Sequence, residues 1–201
     1  EAWRGALQSR RTALLVTIGV DIGGGLLVGG RLWVGAAGCA GEIGHVTVRP
    51  GGEPCACGNF GCLEAYASGP AIARRAVEAV ERGAESSLRA LLDADPASIT
   101  AQVVYEAATA GDALAREVVQ DTARILGAAI ANLVNVFNPE VVVVCGGVTL
   151  AGESLFAPLR REVTRRAFRP AVEVCRIVPG ALTGSAGVYG AARSFLDSRG
   201  G

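Results

Sequence analysis

EVVVVCGGV, residues 140 to 148, decides the fold. Four consecutive valines leave no polar face, so the run reads as a β-strand covered on both sides within a sheet. Gly146-Gly147 follow directly, where a parallel strand releases the chain toward a ligand. Just upstream, Asp112 to Phe137 is the strongest helical stretch. Leu114, Val118, Ile125, Ala129, Leu133 and Val136 recur at the 3.6-residue period, Thr122 is the one polar side chain on that face, and Asn138-Pro139 ends it. Downstream the pattern gives a helix over 155–167, a strand over 172–178 and a helix over 186–196. Toward the N-terminus, TALLVTI (12–18) is a second buried strand. GVDIGGG follows it, and Gly29-Gly30 between LLV and RLWV marks a hairpin. AIARRAVEAVERG (71–83) turns Ile72, Ala76, Ala79 and Val80 inward, with Gly83 as its C-cap. Two short helices, 86–93 and 98–109, are divided by Asp95-Pro96. Strands alternating with helices define an α/β fold, and no repeat or linker divides the chain into two domains.

The 201 residues are 50% hydrophobic and 19% charged, enough apolar material for a packed core and too much for a disordered chain. Nineteen basic side chains balance nineteen acidic ones, so no global charge draws the protein to nucleic acid or a membrane. The apolar runs are too short to span a bilayer, and no secretory segment opens the sequence, which makes the cytoplasm the expected compartment. There is no lysine and no methionine. The first points to a G+C-rich coding sequence; the second makes the chain read as a piece of a longer protein, lacking its N-terminal part. The helix PLRREVTRR carries Arg160, Arg161, Arg165 and Arg166 interleaved with Glu162 and without aromatic neighbours, the pattern of a solvated face.

Residues 35–69 are glycine-rich and irregular, and they hold the single histidine. Cys55, Cys57 and Cys62 lie at spacings of two and five, ten residues and more after His45. Cys₃His is a standard tetrahedral zinc set, and PGGEP and GNFG supply the turns needed to wrap thiolates around one ion. A disulfide suits the cluster less well, because cysteines one residue apart pair badly and a reducing compartment disfavours the bond. Cys39, Cys145 and Cys175 sit alone and read as inert thiols. Four protein ligands close a zinc site, so the metal would pin the loop rather than catalyse. The loop also carries Glu42 and Glu64, which either accept hydrogen bonds from a polyol or are solvated surface glutamates.

GEIGH (41–45), CACGNFGC (55–62) and LEAYASG (63–69) resemble the signature of the ROK family of bacterial sugar kinases and sugar-responsive repressors. The likeness extends through IGVDIGGGLLVGGRLWVGAAGCAGEIGH, EVVVVCGGVTLAGESLFAPLR and GALTGSAGVYGAA, in the family's order. It implies an actin-like ATPase (ribonuclease H-like) fold, of which residues 1–201 form the C-terminal lobe, with a zinc and sugar loop at 41–69. By this resemblance His45, Cys55, Cys57 and Cys62 bind structural zinc, and Glu42, His45 and Glu64 contact sugar hydroxyls. Gly19, Gly23 and Gly24 approach the phosphates of Mg-ATP, and Gly146 and Gly147 lie against adenosine. The implied reaction is phosphoryl transfer from ATP to a hexose hydroxyl, in a protein that commonly forms dimers. The family's alternative is a sugar-sensing repressor, which would contact nucleic acid through a winged helix upstream.

Two departures stand out. The family's second phosphate loop reads GTGIGGG, whereas this chain has Gly19-Val20-Asp21-Ile22, which removes a hydroxyl and adds a carboxylate where a polyanion arrives. The catalytic aspartate, in an Asn-Asp pair, would lie upstream of Glu1, so the chain alone is expected to be catalytically incompetent.

Overall fold

Alternating apolar residues in Ala13–Ile18 (β1) pair antiparallel with Ile22–Val28 (β2), whose far end turns through Gly29 and Gly30 into the two-residue strand Arg31–Leu32 (β3). Both turn glycines have positive φ, 61° and 81°, which suits the twist of a tight hairpin. The computed structural model describes residues 1–182 and 184–199, without side chains for 197–199; Thr183 of the GALTGSAG stretch lies outside the described residues.

After the irregular segment 33–63 come the short helix Glu64–Ala67 (α1) and Gly69–Glu81 (α2), with Ser68 accepting the Ala71 N–H as N-cap and Gly83 at φ 95° ending the turn. The two short helices expected next are Arg89–Ala94 (α3) and Ala101–Ala110 (α4), and Asp95 caps the 3₁₀ turn that Pro96 opens between them. The long helix Ala113–Phe137 (α5) starts on its Asp112 cap and stops at Asn138 in the left-handed conformation. Val141–Cys145 (β4) leads through a 3₁₀ turn at Gly147–Ala151 into Glu153–Arg166 (α6). Arg169–Val174 (α7), Arg176–Pro179 (β5) and Ala186–Arg199 (α8) complete the fold.

The five strands order as β3-β2-β1-β4-β5, with β1, β4 and β5 parallel and the β1-β2-β3 meander antiparallel. Alternation divides the sheet's two faces. Leu14, Val16, Ile18, Val142 and Val144 enter the main core beneath α2, α4, α5 and α6. Ala13, Leu27, Val141 and Val143 face the other way into a smaller cluster closed by Leu7. The valine run of β4 is therefore covered on both sides, as its composition demands.

Three expectations are corrected. The strand expected over 172–178 is a helix up to Val174 and a strand only from Arg176, because Pro170 at the second position of Arg169–Val174 favours a helical first turn. Val136 continues the helical period of α5 but is 72% exposed, since the helix outruns the core it packs on. Of the α6 arginines, Arg165 and Arg166 are exposed and bind Glu162 as their pattern suggests, but Arg160 is half-buried. It binds Glu153, donates to the Ile177 carbonyl at 3.1 Å and lies 5.2 Å from the Phe156 ring centre, an aromatic neighbour that the pattern did not show. Among the described residues, no helix is long and apolar enough to cross a membrane.

Candidate functional site

The segment 45–62 is drawn together by backbone bonds rather than by buried side chains. Thr47 bridges Cys62, Pro54 bridges Phe60, and the Cys55 N–H donates to Asn59 at 2.9 Å while Gly58 N–H returns to Cys55 at 3.0 Å. Gly61 takes φ 77° within 1.7 Å (measured from an ideal Cβ) of the Arg49 carbonyl, so no side chain fits there. These turns bring the four expected ligands together: one donor atom each from His45, Cys55, Cys57 and Cys62 all lie within 4.8 Å of one another. Cys57 Sγ is 3.7 Å from Cys62 Sγ, and His45 Nδ1 is 3.6 Å from Cys55 Sγ. A tetrahedral zinc with about 2.3 Å bonds to sulfur has edges of about 3.8 Å, so the cradle has the size and the donors for that ion. Burial pushes the Cys62 thiol up to about 12, and the adjacent thiols of Cys55 and Cys57 push the same way. A hydrogen bond from the Asn59 backbone pulls the Cys57 thiol the other way, and a divalent cation held here would favour the ionised form of all three sulfurs.

His45 turns Nδ1 to the sulfurs and Nε2 toward Glu42, whose Oε2 is 4.0 Å away. Glu64, at the start of α1, puts Oε1 3.9 Å from Cys55 Sγ and accepts the Ile22 N–H on Oε2 at 3.0 Å. Glu42 and Glu64 thus each lie beside one of the four donors, Glu42 at His45 and Glu64 at Cys55.

Contacts that sequence reasoning missed fasten this loop to the helices. The Tyr66 hydroxyl accepts the Glu53 N–H at 2.7 Å, and the Arg49 guanidinium lies 4.9 Å from the Tyr66 ring centre. Arg75, mostly buried, donates to the Tyr66 carbonyl and Thr122 Oγ1, both at 3.1 Å, and pairs with Asp121, which Arg49 also reaches. These partners lie up to 72 residues apart, and no local pattern marks them.

A second feature is a cleft of about 970 Å³ at the carboxyl ends of β1 and β4. Gly19 and Val20 from the β1–β2 turn, Gly69 and Pro70 from the start of α2, α4, and Gly147 with Val148 after β4 line it. Of the glycines singled out in the sequence, Gly19 and Gly147 face the cleft. Gly146, at φ 99°, packs against the Ile18 backbone, which leaves no room for a side chain. Gly23 and Gly24 do not line it. They belong to β2 opposite Thr17 and Val16, and a side chain on Gly24 would strike the Gly41 carbonyl. Tyr105 forms part of the wall, and its buried hydroxyl has no hydrogen-bond partner among the described residues.

This mixed sheet and its helical layers are the fold of the actin-like ATPases, as in solved sugar kinases. A ROK family glucokinase from Streptomyces griseus, in complex with glucose and AMPPNP, superposes with a TM-score of 0.83 at 35% identity, over 94% of this chain and 61% of that one. The chain belongs to the ROK family, whose sequence model matches residues 1–197. It is 44% identical over 192 residues to the glucokinase of Halalkalibacterium halodurans, covering 94% of this chain and 58% of the relative. It is 37% identical over 169 residues to the DNA-binding transcriptional dual regulator NagC of Escherichia coli, covering 84% of this chain and 40% of the relative. The chain thus spans about half the length of these curated relatives.

Proposed function

We propose that residues 1–201 are the C-terminal lobe of a cytoplasmic, ATP-dependent hexose kinase of the ROK family, with structural zinc in its 41–69 loop. The observation that carries this reading is that one hairpin turn touches both sites. Gly19 and Val20 line the cleft, and the Ile22 N–H binds Glu64 beside the metal cradle. The 44% identity to a glucokinase over almost the whole chain supports it.

In this reading, His45, Cys55, Cys57 and Cys62 hold zinc, which supplies counter-charge to the sulfurs and fixes the loop. Glu42 and Glu64 accept hydrogen bonds from sugar hydroxyls, and His45 Nε2 adds a third polar contact. Gly19 lets phosphates approach the backbone, and Gly147 leaves space for adenosine. Transfer of the γ-phosphoryl of Mg-ATP is then mainly a matter of holding a sugar hydroxyl in line with it, while the base comes from the opposite lobe. A second copy of the chain would find apolar side chains to cover at Val136 and Phe168, both well exposed.

One observation favours the family's other activity. Val20 is 84% exposed and Asp21 is also exposed, which sets a carboxylate beside the place where phosphates would arrive. A sugar-sensing repressor can tolerate that; a kinase needs Mg²⁺ to offset it. Calorimetric titration separates the two. Binding of both a hexose and an adenine nucleotide, with hexose binding abolished in Glu42→Ala, supports the kinase. Hexose binding without nucleotide supports the repressor, and binding of neither overturns both.

A further inference from the structure

The β1–β2 turn leaves the outward N–H and C=O of Ile22, the first residue of β2, without a strand partner. Gly19 N–H donates to the Asp21 carbonyl at 2.9 Å, so Ile18 and Ile22 face each other as a pair without mutual hydrogen bonds. The N–H and C=O of Ile22 therefore point away from β1, toward the outer edge of β2. The partner strand there, β3, pairs only with Leu27 and Val28, at the far end of β2. Glu64 takes the exposed N–H at 3.0 Å, and Gly44 presses on the carbonyl so closely that a Cβ would come within 2.1 Å of it. The other side of the turn is held by Gly69, whose N–H donates to the Gly19 carbonyl at 2.8 Å.

We infer that Glu64 is a positioning residue for the cleft: its Oε2 clamps the Ile22 N–H and so fixes the Gly19-Val20-Asp21 turn, while Oε1 faces the loop, 3.9 Å from Cys55 Sγ. Stated for nucleotide affinity, the inference rests on the reading of the cleft as a nucleotide site; the clamp itself does not. One carboxylate then serves two sites. Whatever orders Glu64 at the loop also steadies the turn across the strand, and by reciprocity a ligand that steadies the turn favours the ordered loop. The charge of Glu64 is not what the clamp needs. It needs an oxygen acceptor at the reach of a glutamate side chain.

That distinction sets the test. Affinity for a fluorescent ADP analogue, measured with Mg²⁺ and without sugar on zinc-loaded protein, is compared for wild type, Glu64→Gln, Glu64→Asp and Glu64→Ala. Glutamine keeps the acceptor and loses the charge, whereas aspartate keeps the charge and loses the reach. The clamp predicts glutamine within about twofold of wild type, and aspartate and alanine weaker by roughly tenfold. Equal affinity in all four, or a loss that follows charge instead of reach, overturns the proposal and leaves the cleft reading standing. If wild type binds no nucleotide, the cleft reading fails. Hydrogen exchange at the Ile22 amide then decides the clamp: faster exchange in the aspartate and alanine variants alone supports it, and unchanged exchange overturns it.

Discussion

Helix α5 and the loop over residues 41–62 lie within reach of each other through Arg49 and Asp121, yet they are held in shape by opposite means. In α5, residues such as Leu126, Ile130 and Val134 are fully or almost fully excluded from water, and burial is the main term that holds the helix. In the loop, Ile43 and Cys62 are the only buried side chains apart from glycines. Its shape comes from backbone bonds, from glycines where any side chain would collide, and from a donor cluster that fits a metal. The helix therefore tolerates a change in its surroundings, whereas the loop depends on a few points.

The largest expected effect breaks this contrast at the loop. Removing zinc with a chelator should release backbone protection across 41–62 and reduce hexose affinity by roughly 10- to 100-fold, the scale of losing a metal site's supporting contacts, with little loss of far-ultraviolet helical signal. Amide hydrogen exchange and circular dichroism on the same sample check it; collapse of the helical signal would show that the two regions share one source of stability. The converse change is Leu126→Ala, which opens a hole in a fully buried position. It should cost about 3 kcal/mol in a denaturant titration and leave the zinc content at one per chain.

A smaller effect sharpens the account of how α5 begins. Burial alone would raise the Asp112 carboxyl, but bonds from the Ala115 N–H, from Ser87 and from Ser86 outweigh it and hold the group down at about 2. Because the folded value lies below that of the unfolded chain, the contribution is fully present above about pH 4 and fades as pH falls through about 2. Asp112→Ala should therefore cost about 1 kcal/mol near neutral pH, and the gap from wild type should close in acid unfolding curves. Smallest of all is Tyr105→Phe. Its hydroxyl is buried without a partner among the described residues, so removal should change stability by less than about 1 kcal/mol, or raise it. A large loss in thermal unfolding would mean that the hydroxyl has a partner after all.

Much of this was legible in the sequence because the strongest signals are local. The period of α5, the valines of β4, the glycine pair at 29–30 and the thiol spacing each carry their own geometry. What was not legible depends on distance. Nothing near Arg75 announces Asp121 or Tyr66, and the period of α5 runs on to Val136 because a helix keeps its spacing after its partner has ended. The glycines of β2 are instructive in another way. GVDIGGG has the composition of a phosphate loop, but Gly24 is small because the loop at Gly41 packs onto its strand.

That contact has a consequence for solubility. Beyond the short reach of β3, the outer edge of β2 is covered by Trp33, whose N–H donates to the Leu26 carbonyl, and by Gly41, Ile43, Gly44 and Glu64 of the loop and α1. An uncovered strand edge is a template for joining another chain. If zinc pins the loop as proposed, the metal would also guard that edge against aggregation. Protein made without enough zinc would then be expected to clump before it showed any defect in ligand binding.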